Sequence, residues 1–408
     1  MKILITTQYF YPENFRISDF AFKMAERGHQ VSVLTGTPNY PAGKNFGDYT
    51  RLSCEVINDV SVYRVPLIPR GKSRGFELAL NYISFVLSAI IFGPFLLRNL
   101  KPDIVFSVNY SPATVGLVGA FFSRVKRVPL FLWVQDLWPD SLQATDAVRS
   151  RLILSLVGSM VSWIYGQSAL IFIQAKSFAR HIGCRGVTDP EKIKYFPNWA
   201  EDTYDISSNL VTHQTHGLIP KDRFIIMFAG NLGVAQALES VLRAVDLCRD
   251  YPIHWILLGD GREKDKLHIA VRDLGLENHI SLLGRYPLED MPYFFQLADV
   301  MLVTLKKDPI FSMTVPGKIQ SYLKSGKPIL SSLDGEGARV VEDSGAGVNV
   351  SSEDYIGLAD AAVKLSKLTP AVLDEMGNKA REYYAEVFEV NKLLAQFERD
   401  VQRHMLAI

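Results

Sequence analysis

The feature that most restricts this chain is an alternation of short apolar runs with helical stretches, present on either side of a polar segment. Residues 3–5 are followed by a polar turn at 8–14, then by Phe20, Met24 and Ala25 at helical spacing, closing at Arg27-Gly28-His29. The apolar run 31–34 comes next, so this opening is a βαβ unit with parallel strands. Residues 104–106, 129–134 and 170–173 are further strands, each separated by enough chain for a crossover helix. After the polar stretch 201–220 the pattern restarts at 224–229, 253–258, 280–283, 300–303 and 328–331. The expected architecture is α/β: two doubly wound, Rossmann-like domains, 1–205 and 206–384, facing a central cleft at their strand C-termini. A Pro-free helical segment closes the chain, and its part at about 385–408 is expected to pack back onto the first domain.

Composition agrees with two ordinary globular domains. The length of 408 residues, 48% apolar and 21% charged, excludes a disordered or collagen-like chain. A net charge of +1 hides an asymmetry: residues 1–200 carry 22 Lys and Arg against 13 Asp and Glu, whereas 201–408 carry 22 against 30. The basic half suits phosphates or an anionic membrane. Three widely spaced cysteines give neither a disulfide framework nor a metal pair, which points to a reducing cytoplasm. The opening MKILITTQYF turns polar too early for a signal peptide.

Between Glu77 and Arg98 there is no charged residue, and the stretch 78–97 is about as long as a bilayer core requires. Pro94 after Gly93, and polar Asn81, Ser84 and Ser88, weigh against a true span. Basic residues flank both sides, Arg70, Lys72 and Arg74 before and Arg98 and Lys101 after, and set no orientation. A helix partly buried in the first domain and partly dipped into the membrane surface is the favoured reading; a span and a wholly buried core helix are the alternatives.

Glycine turns and one lysine mark candidate chemistry in the second half. Gly230-Asn231-Leu232-Gly233 follows a strand and precedes a helix near Leu238, where glycine permits close backbone approach and helix N–H groups face phosphate oxygens. The spacing is not Gly-x-Gly-x-x-Gly, so a nicotinamide dinucleotide site is disfavoured. Gly259-Asp260-Gly261-Arg262 repeats the arrangement, and Leu283-Gly284-Arg285 ends another strand, where Arg285 can stack on a base. Pro316-Gly317 starts a helix with Lys318 in its first turn, an unfavourable place for a cation unless an anion is close; a lysine simply reaching solvent is the alternative. His29 reads as a cap, and His213 and His216 as isolated linker residues.

In order, Gly230-Asn231-Leu232-Gly233, Gly259-Asp260-Gly261-Arg262, Leu283-Gly284, Pro316-Gly317-Lys318 with Tyr322, and Gly326-Lys327-Pro328 resemble the donor-side motifs of family 4 glycosyltransferases of the GT-B fold. Tyr11-Pro12-Glu13, Arg27-Gly28-His29, Pro38-Asn39-Tyr40-Pro41 and the specific stretch Val134-Gln135-Asp136-Leu137-Trp138-Pro139-Asp140-Ser141 resemble the bacterial O-antigen, capsule and colanic-acid branch, which includes N-acetyl-L-fucosamine transferases. The resemblance covers nearly the whole chain. It implies a retaining enzyme moving sugar from a UDP-sugar to a polyprenyl-diphosphate-linked saccharide. The implied place is the cytoplasmic face of a bacterial plasma membrane, with peripheral contact through 78–97 and no nucleic acid. No cofactor and no metal are implied, and the absence of Asp-x-Asp agrees.

On this resemblance Lys318 stabilises the leaving diphosphate, with Gly230, Asn231, Gly233, Gly259, Gly261, Arg262, Leu283, Arg285, Pro316, Gly317 and Ser321 around the donor. Asn14, Arg16, Gln135, Asp136 and Trp138 meet sugar or acceptor: the Asp136 carboxylate orients the acceptor hydroxyl, with Asp140 beside it as a second carboxylate able to orient or deprotonate that hydroxyl, and Trp138 offers an aromatic face, with simple packing as its alternative. Departures are informative. The family's Glu-x7-Glu falls on Met313 and Ser321, with Glu336 as the substitute carboxylate, and its Arg and Lys of the first turn fall on Asn231 and Gln236. Gln135 stands where many relatives have a histidine near the donor C6 hydroxyl, which suits a 6-deoxy sugar. A UDP-sugar 2-epimerase and a non-catalytic membrane scaffold are the competing functions.

Overall fold

The computed structural model describes every residue except 42, 48, 50, 51, 72–74, 145–147, 149, 205–218 and 408. The chain forms two compact units, Met1–Phe196 with the residues from Asp400 on, and Pro197–Arg399. The boundary expected at 205/206 lies outside the described residues, as do His213, His216, Lys72 and Arg74.

The strands of the first unit are β1 (Lys2–Thr6), β2 (Gln30–Gly36), β3 (Ser53–Ile57), β4 (Val60–Val65), β5 (Ile104–Asn109), β6 (Leu130–Val134), β7 (Leu170–Ile173) and β8 (Ile193–Tyr195). They form one sheet in the order β3-β4-β2-β1-β5-β6-β7-β8, parallel except for the β3–β4 hairpin. Because β2 and β5 both flank β1, the winding reverses there, and the loops after β1 and β5 open a crevice at the strand C-termini. The helices are α1 (Arg16–Glu26), α2 (Gly75–Leu96), α3 (Val115–Lys126), α4 (Asp140–Ala144), α5 (Arg151–Gln167) and α6 (Phe178–Gly183). One face of the sheet packs Leu34, Phe85, Val118 and Phe122. Phe20, Phe106, Trp133, Phe172 and Phe196 interlock as rings 5.0–6.1 Å apart.

The hairpin is new relative to the sequence expectation, which places no strand between residues 34 and 104. Its turn residues Asn58 and Asp59 take φ of 46° and 62°, the left-handed values a two-residue hairpin turn demands. β4 hides from hydropathy because it carries Arg64, a charged residue with no exposure. That guanidinium is satisfied inside: Nε meets Glu55 Oε1 at 2.7 Å, Nη2 donates to the Tyr11 carbonyl at 2.6 Å, and the group lies 4.5 Å over the Tyr49 ring.

α2 has two unlike faces. Asn81, Phe85, Ala89 and Gly93, four apart, are buried, and a Cβ at Gly93 would lie 2.5 Å from the Phe122 ring, so this stripe is seated against the core. Ile83, Leu87, Ile91 and Phe95 on the other side are exposed, Phe95 at 66%. The wholly buried core helix is thereby corrected: one face belongs to the unit and the other does not. Asn81 is polar for an internal reason, since it donates to the Ile68 carbonyl and accepts from Gln8 Nε2, both at 2.6 Å.

The second unit has strands β9 (Phe224–Ala229), β10 (Ile253–Leu258), β11 (Ile280–Gly284), β12 (Val300–Thr304), β13 (Ile329–Ser332) and β14 (Gly347–Val350), the last unmarked in the sequence reading. All are parallel in the order β11-β10-β9-β12-β13-β14, the doubly wound nucleotide-binding order with its reversal between β9 and β12. Its helices are α7 (Leu238–Leu247), α8 (Lys264–Asp273), α9 (Met291–Leu297), α10 (Pro309–Ser312), α11 (Gly317–Lys324), α12 (Glu336–Ser344), α13 (Tyr355–Ser366), α14 (Pro370–Val387) and α15 (Val390–Leu406). From Asp400 on, α15 belongs to the first unit, where the His404 ring meets Phe131 edge-on at 5.5 Å.

The glycine turns after β9 and β10 are packed backbone to backbone. Gly230 N donates to Leu258 O and Leu232 N to Asp260 O, both at 2.8 Å. A Cβ at Gly259, whose φ is 148°, would fall 1.8 Å from Gly230 O, and one at Gly261 2.3 Å from Leu232 O. These two glycines are therefore required by the approach of one turn to the other. Gly259→Ala is expected to lower stability by about 3 kcal/mol, combining left-handed strain with a backbone clash. Chemical denaturation of the variant measures it, and a loss within experimental error contradicts the packing argument.

Candidate active site

Lys318 is the centre of the second unit's candidate site. α11 starts at Gly317, with Pro316 as the residue before it and no side chain capping its N–H groups. Four residues on, Tyr322 is fully buried; its hydroxyl accepts from Ala229 N at 3.0 Å and donates to Ala229 O at 3.2 Å. The spacing puts Lys318 and Tyr322 on one helix face, so the anchor that fixes the end of β9 also aims Lys318 at the turn following it.

There the ammonium sits 3.6 Å from the centre of the Phe228 ring and donates to Gln236 Oε1 at 2.7 Å. A Cβ at Gly230 would stand 3.2 Å from Nζ, so this glycine leaves room for the lysine. No carboxylate pairs with Lys318 among the described residues. Burial pulls its pKa down to about 7. A cation held by a neutral amide and a ring face, beside helix N–H groups with no side-chain cap, has the chemistry to accept an anion. Gln236 is the lysine's own hydrogen-bond partner. Its loop is tied to β12 through Thr304 Oγ1 on Gln236 O at 2.6 Å.

The remaining donor-side residues divide. Asn231, Arg262, Arg285 and Gly317 are exposed; Gly233, Leu283 and Pro316 are half-buried. Ser321 is buried on α11. Glu336 is 7% exposed and opens α12, so it lies at a helix start instead of in a surface loop. Gly335, at φ 71°, packs so tightly on Ser312 that a Cβ would lie 2.1 Å from its carbonyl oxygen, and Gly337 abuts Pro316. The start of α12 is thus fastened to the segment leading into α11, which brings Glu336 and Lys318 to one end of the unit.

In the first unit the crevice beside β1 and β5 holds a cavity of about 310 Å³. Gln135 and Asp136, at the end of β6, form part of its wall. Desolvation raises the Asp136 pKa to about 6, against the pull of Ser141, the Trp138 indole and the Leu137 amide. The other walls are aromatic and were not found from sequence: Tyr9, Phe15, Tyr40, Tyr82 and Tyr110, with Arg70 among them. Phe15 stacks on Tyr9 at 4.8 Å and meets Tyr40 and Tyr110 at 5.1 and 5.2 Å. Nothing in the sequence signals this group, because its members come from different loops and from α2.

Two sequence expectations need correction. Trp138 is 5% exposed and meets Tyr82 edge-on at 6.1 Å, so its indole packs behind the cavity wall and offers no open face. Asp140 is committed elsewhere: His181 at 3.0 Å and Arg185 at 2.8 Å hold its carboxyl down at about 2. Glu13 supports the cavity: its carboxylate accepts from the amides of Asn39 (2.9 Å), Tyr40 (2.7 Å) and Phe10 (3.3 Å) and shapes the loops around the cavity. Asn14 is exposed just before α1, and Arg16 opens that helix with Asp19 3.8 Å away.

Residues 14–199 match the family profile of the glycosyl transferase 4-like domain, and residues 223–367 that of the glycosyl transferases group 1. The chain belongs to this glycosyltransferase family. The glycosyltransferase is 25% identical to WcaI of Escherichia coli K12, a colanic acid biosynthesis glycosyl transferase by name, over 98% of this chain and 100% of WcaI. It is 25% identical to WbjE of Pseudomonas aeruginosa, named as a glycosyltransferase, over 83% and 84%. HepE of Anabaena, solved in complex with UDP, superposes with a TM-score of 0.72 at 17% identity over 99% of this chain and 100% of HepE. The fold of the glycosyltransferase is GT-B. Among the described residues no group of three or more His, Cys, Asp and Glu is placed to hold a metal.

Because the part-buried Lys318 ammonium is desolvated with no counter-charge among the described residues, Lys318→Met should stabilise the fold by about 1 kcal/mol or more at pH 7. The unfolded chain binds the extra proton between about pH 7 and the ordinary lysine range, so wild-type stability rises through that window and the difference shrinks. Denaturation midpoints of both proteins at pH 7 and 9 check this; a variant less stable at pH 7 contradicts it.

Proposed function

We propose that this glycosyltransferase moves a sugar, with retention, from a UDP-sugar to a lipid-diphosphate-linked saccharide in the synthesis of a bacterial surface polysaccharide. The observation that carries the reading is the Lys318 ammonium, unpaired by any described carboxylate and set against the glycine turn after β9. A leaving diphosphate develops negative charge as the glycosidic bond breaks, and a desolvated ammonium with helix N–H groups stabilises it without a metal. The two relatives and the UDP-bound structure support the same direction, since they are named for colanic acid biosynthesis, glycosyl transfer and UDP.

In the first unit Asp136 positions the acceptor hydroxyl, and being ionised only above about pH 6 it makes acceptor use fall off in acid. Gln135, 9% exposed and lining the same cavity, suits a 6-deoxy donor such as UDP-N-acetyl-L-fucosamine, since no C6 hydroxyl needs a partner there. The exposed face of α2, with Arg98 and Lys101 just beyond it, rests on the membrane surface at the cytoplasmic side, where such an acceptor resides. Glycosyl transfer displaces the 2-epimerase and scaffold alternatives.

The test is a panel of nucleotide sugars offered with a diphospholipid-linked acceptor, with products weighed by mass spectrometry. The expected product is acceptor plus one N-acetylated deoxyhexose from the UDP-linked donor. Efficient transfer from UDP-glucose with none from the deoxy sugar overturns the donor assignment; no UDP binding overturns the whole reading. Lys318→Ala should lower turnover about 10²- to 10³-fold while the fold is kept, the size of losing one preorganised charge donor.

A further inference from the structure

Helix α5 is only half seated in the first unit. No charged residue stands between Arg151 and Lys176, and none of the helix's residues from Arg151 to Met160 is buried. Its buried residues, Val161, Ile164 and Tyr165, all lie in the second half. Two close approaches show where that half rests. A Cβ at Gly116, in the first turn of α3, would lie 2.6 Å from Ile164 Cγ2, and one at Gly158 would lie 3.8 Å from Pro139, just past the end of β6. At about 1.5 Å per residue the rise from Arg151 to Ile164 is about 20 Å, so α5 begins well before the level at which α3 does. Its first turns therefore run beyond the strand ends, on the side of the sheet where Gln135 and Asp136 line the cavity.

Leu152, Leu156 and Trp163 are 70%, 63% and 42% exposed. At about 100° per residue they stand opposite Val161, Ile164 and Tyr165, so this stripe points away from the sheet. The exposed stripe of α2, Ile83, Leu87, Ile91 and Phe95, stands opposite its own buried residues in the same way. From β4 to β5, β5 to β6 and β6 to β7 the chain steps in one direction along the sheet, and right-handed crossovers then put α2, α3 and α5 on one face of it. α3 lies between the other two, meeting α2 where Gly93 faces Phe122 and α5 where Gly116 faces Ile164. Two apolar ridges thus leave the same face of the unit. The charge around them is nearly all of one sign: the three helices hold Arg124, Lys126 and Arg151 against the single carboxylate Glu77, and Arg98, Lys101 and Arg127 follow the ends of α2 and α3. Arg124 lies 4.9 Å over the Trp163 ring, a cation and an indole paired as they are at membrane interfaces.

We infer that the outward stripe of α5 is a second membrane-inserting element, which with α2 gives the first unit a two-ridged face for an anionic bilayer. The inference rests on the membrane reading of α2 above and adds to it a helix that the apolar stretch 78–97 does not include. A single shallow anchor holds reversibly, and stable residence takes a second. A second copy of the chain is disfavoured as the occupant, because pairing like faces about a twofold axis sets cations against cations, whereas anionic headgroups attract them. Since the first half of α5 runs past the end of β6, it brings the lipid surface to the cavity's end of the sheet, where a lipid-linked acceptor has to arrive.

The test is co-sedimentation of the full chain with phosphatidylcholine vesicles that contain or lack phosphatidylglycerol. Leu152→Gln with Leu156→Gln should lower partition into the anionic vesicles about tenfold, Leu87→Gln with Ile91→Gln on α2 about tenfold, and all four together about 100-fold. The milder Leu152→Ala with Leu156→Ala, which keeps helix propensity, should lose about threefold. Arg124→Gln with Arg151→Gln should lower binding about tenfold, and only where phosphatidylglycerol is present. All of these side chains are exposed, so denaturation midpoints should not move. Wild-type binding by both α5 variants alongside an impaired α2 pair overturns the second element and leaves the reading of α2 standing, whereas a wild-type chain that sediments with neither vesicle sinks both. A dimer in light scattering that the glutamine pair on α5 dissociates, with vesicle binding unaltered, overturns the inference in favour of an interface between copies.

Discussion

Much of the second unit's construction converges on where one ammonium group is put. Lys318 is carried by the first turn of α11, and that helix is anchored one turn later by the Tyr322 hydroxyl on both the amide and the carbonyl of Ala229. Among the described residues the lysine has no carboxylate to meet; a ring face, an amide oxygen and a glycine lie against it. Leaving a cation in that state costs stability, and the cost shows as a pKa drawn down to about 7. Proteins keep such groups where a ligand completes them, which is why this lysine outweighs the exposed Arg262 and Arg285 as the candidate for diphosphate stabilisation.

The glycine turns have a different cause from the one their spacing suggests. Gly259 and Gly261 leave no space for a Cβ because the neighbouring turn's carbonyls occupy it. Gly230 is the one whose missing side chain faces the lysine. The same separation of support from contact holds in the first unit, where Glu13, Asn39, Asn81 and Gln8 form linked hydrogen bonds under the loops, and the tyrosines and Arg70 stand on them. Buried polar groups joined this way rigidify a loop scaffold that apolar packing alone leaves under-specified.

The strands were legible in the sequence because parallel strands buried on both faces read as continuous apolar runs, as at β5, β6, β9 and β10. The hairpin was not, since a buried Arg64 paired to Glu55 breaks the apolar pattern that marks a core strand. The helix start at Pro316-Gly317 was legible from its turn residues, and Lys318 stood out because a cation in a first turn violates a local rule. Trp138 and Asp140 were misread for a common reason. They stand in a short distinctive stretch, yet Tyr82 and Arg185, which fix their roles, come from 56 and 45 residues away in the chain, and only the fold brings them together. The aromatic cavity was invisible for the same cause, its rings lying at positions 9, 15, 40, 82 and 110.

The most direct measurement is the titration of the Lys318 side chain itself, followed by NMR of its Cε and Nζ in protein with labelled lysine, assigned through the Lys318→Met variant, with and without UDP. The account predicts a midpoint at about pH 7 in the free protein and a rise of about two units or more when UDP is bound. A midpoint in the ordinary lysine range that UDP does not move would contradict it.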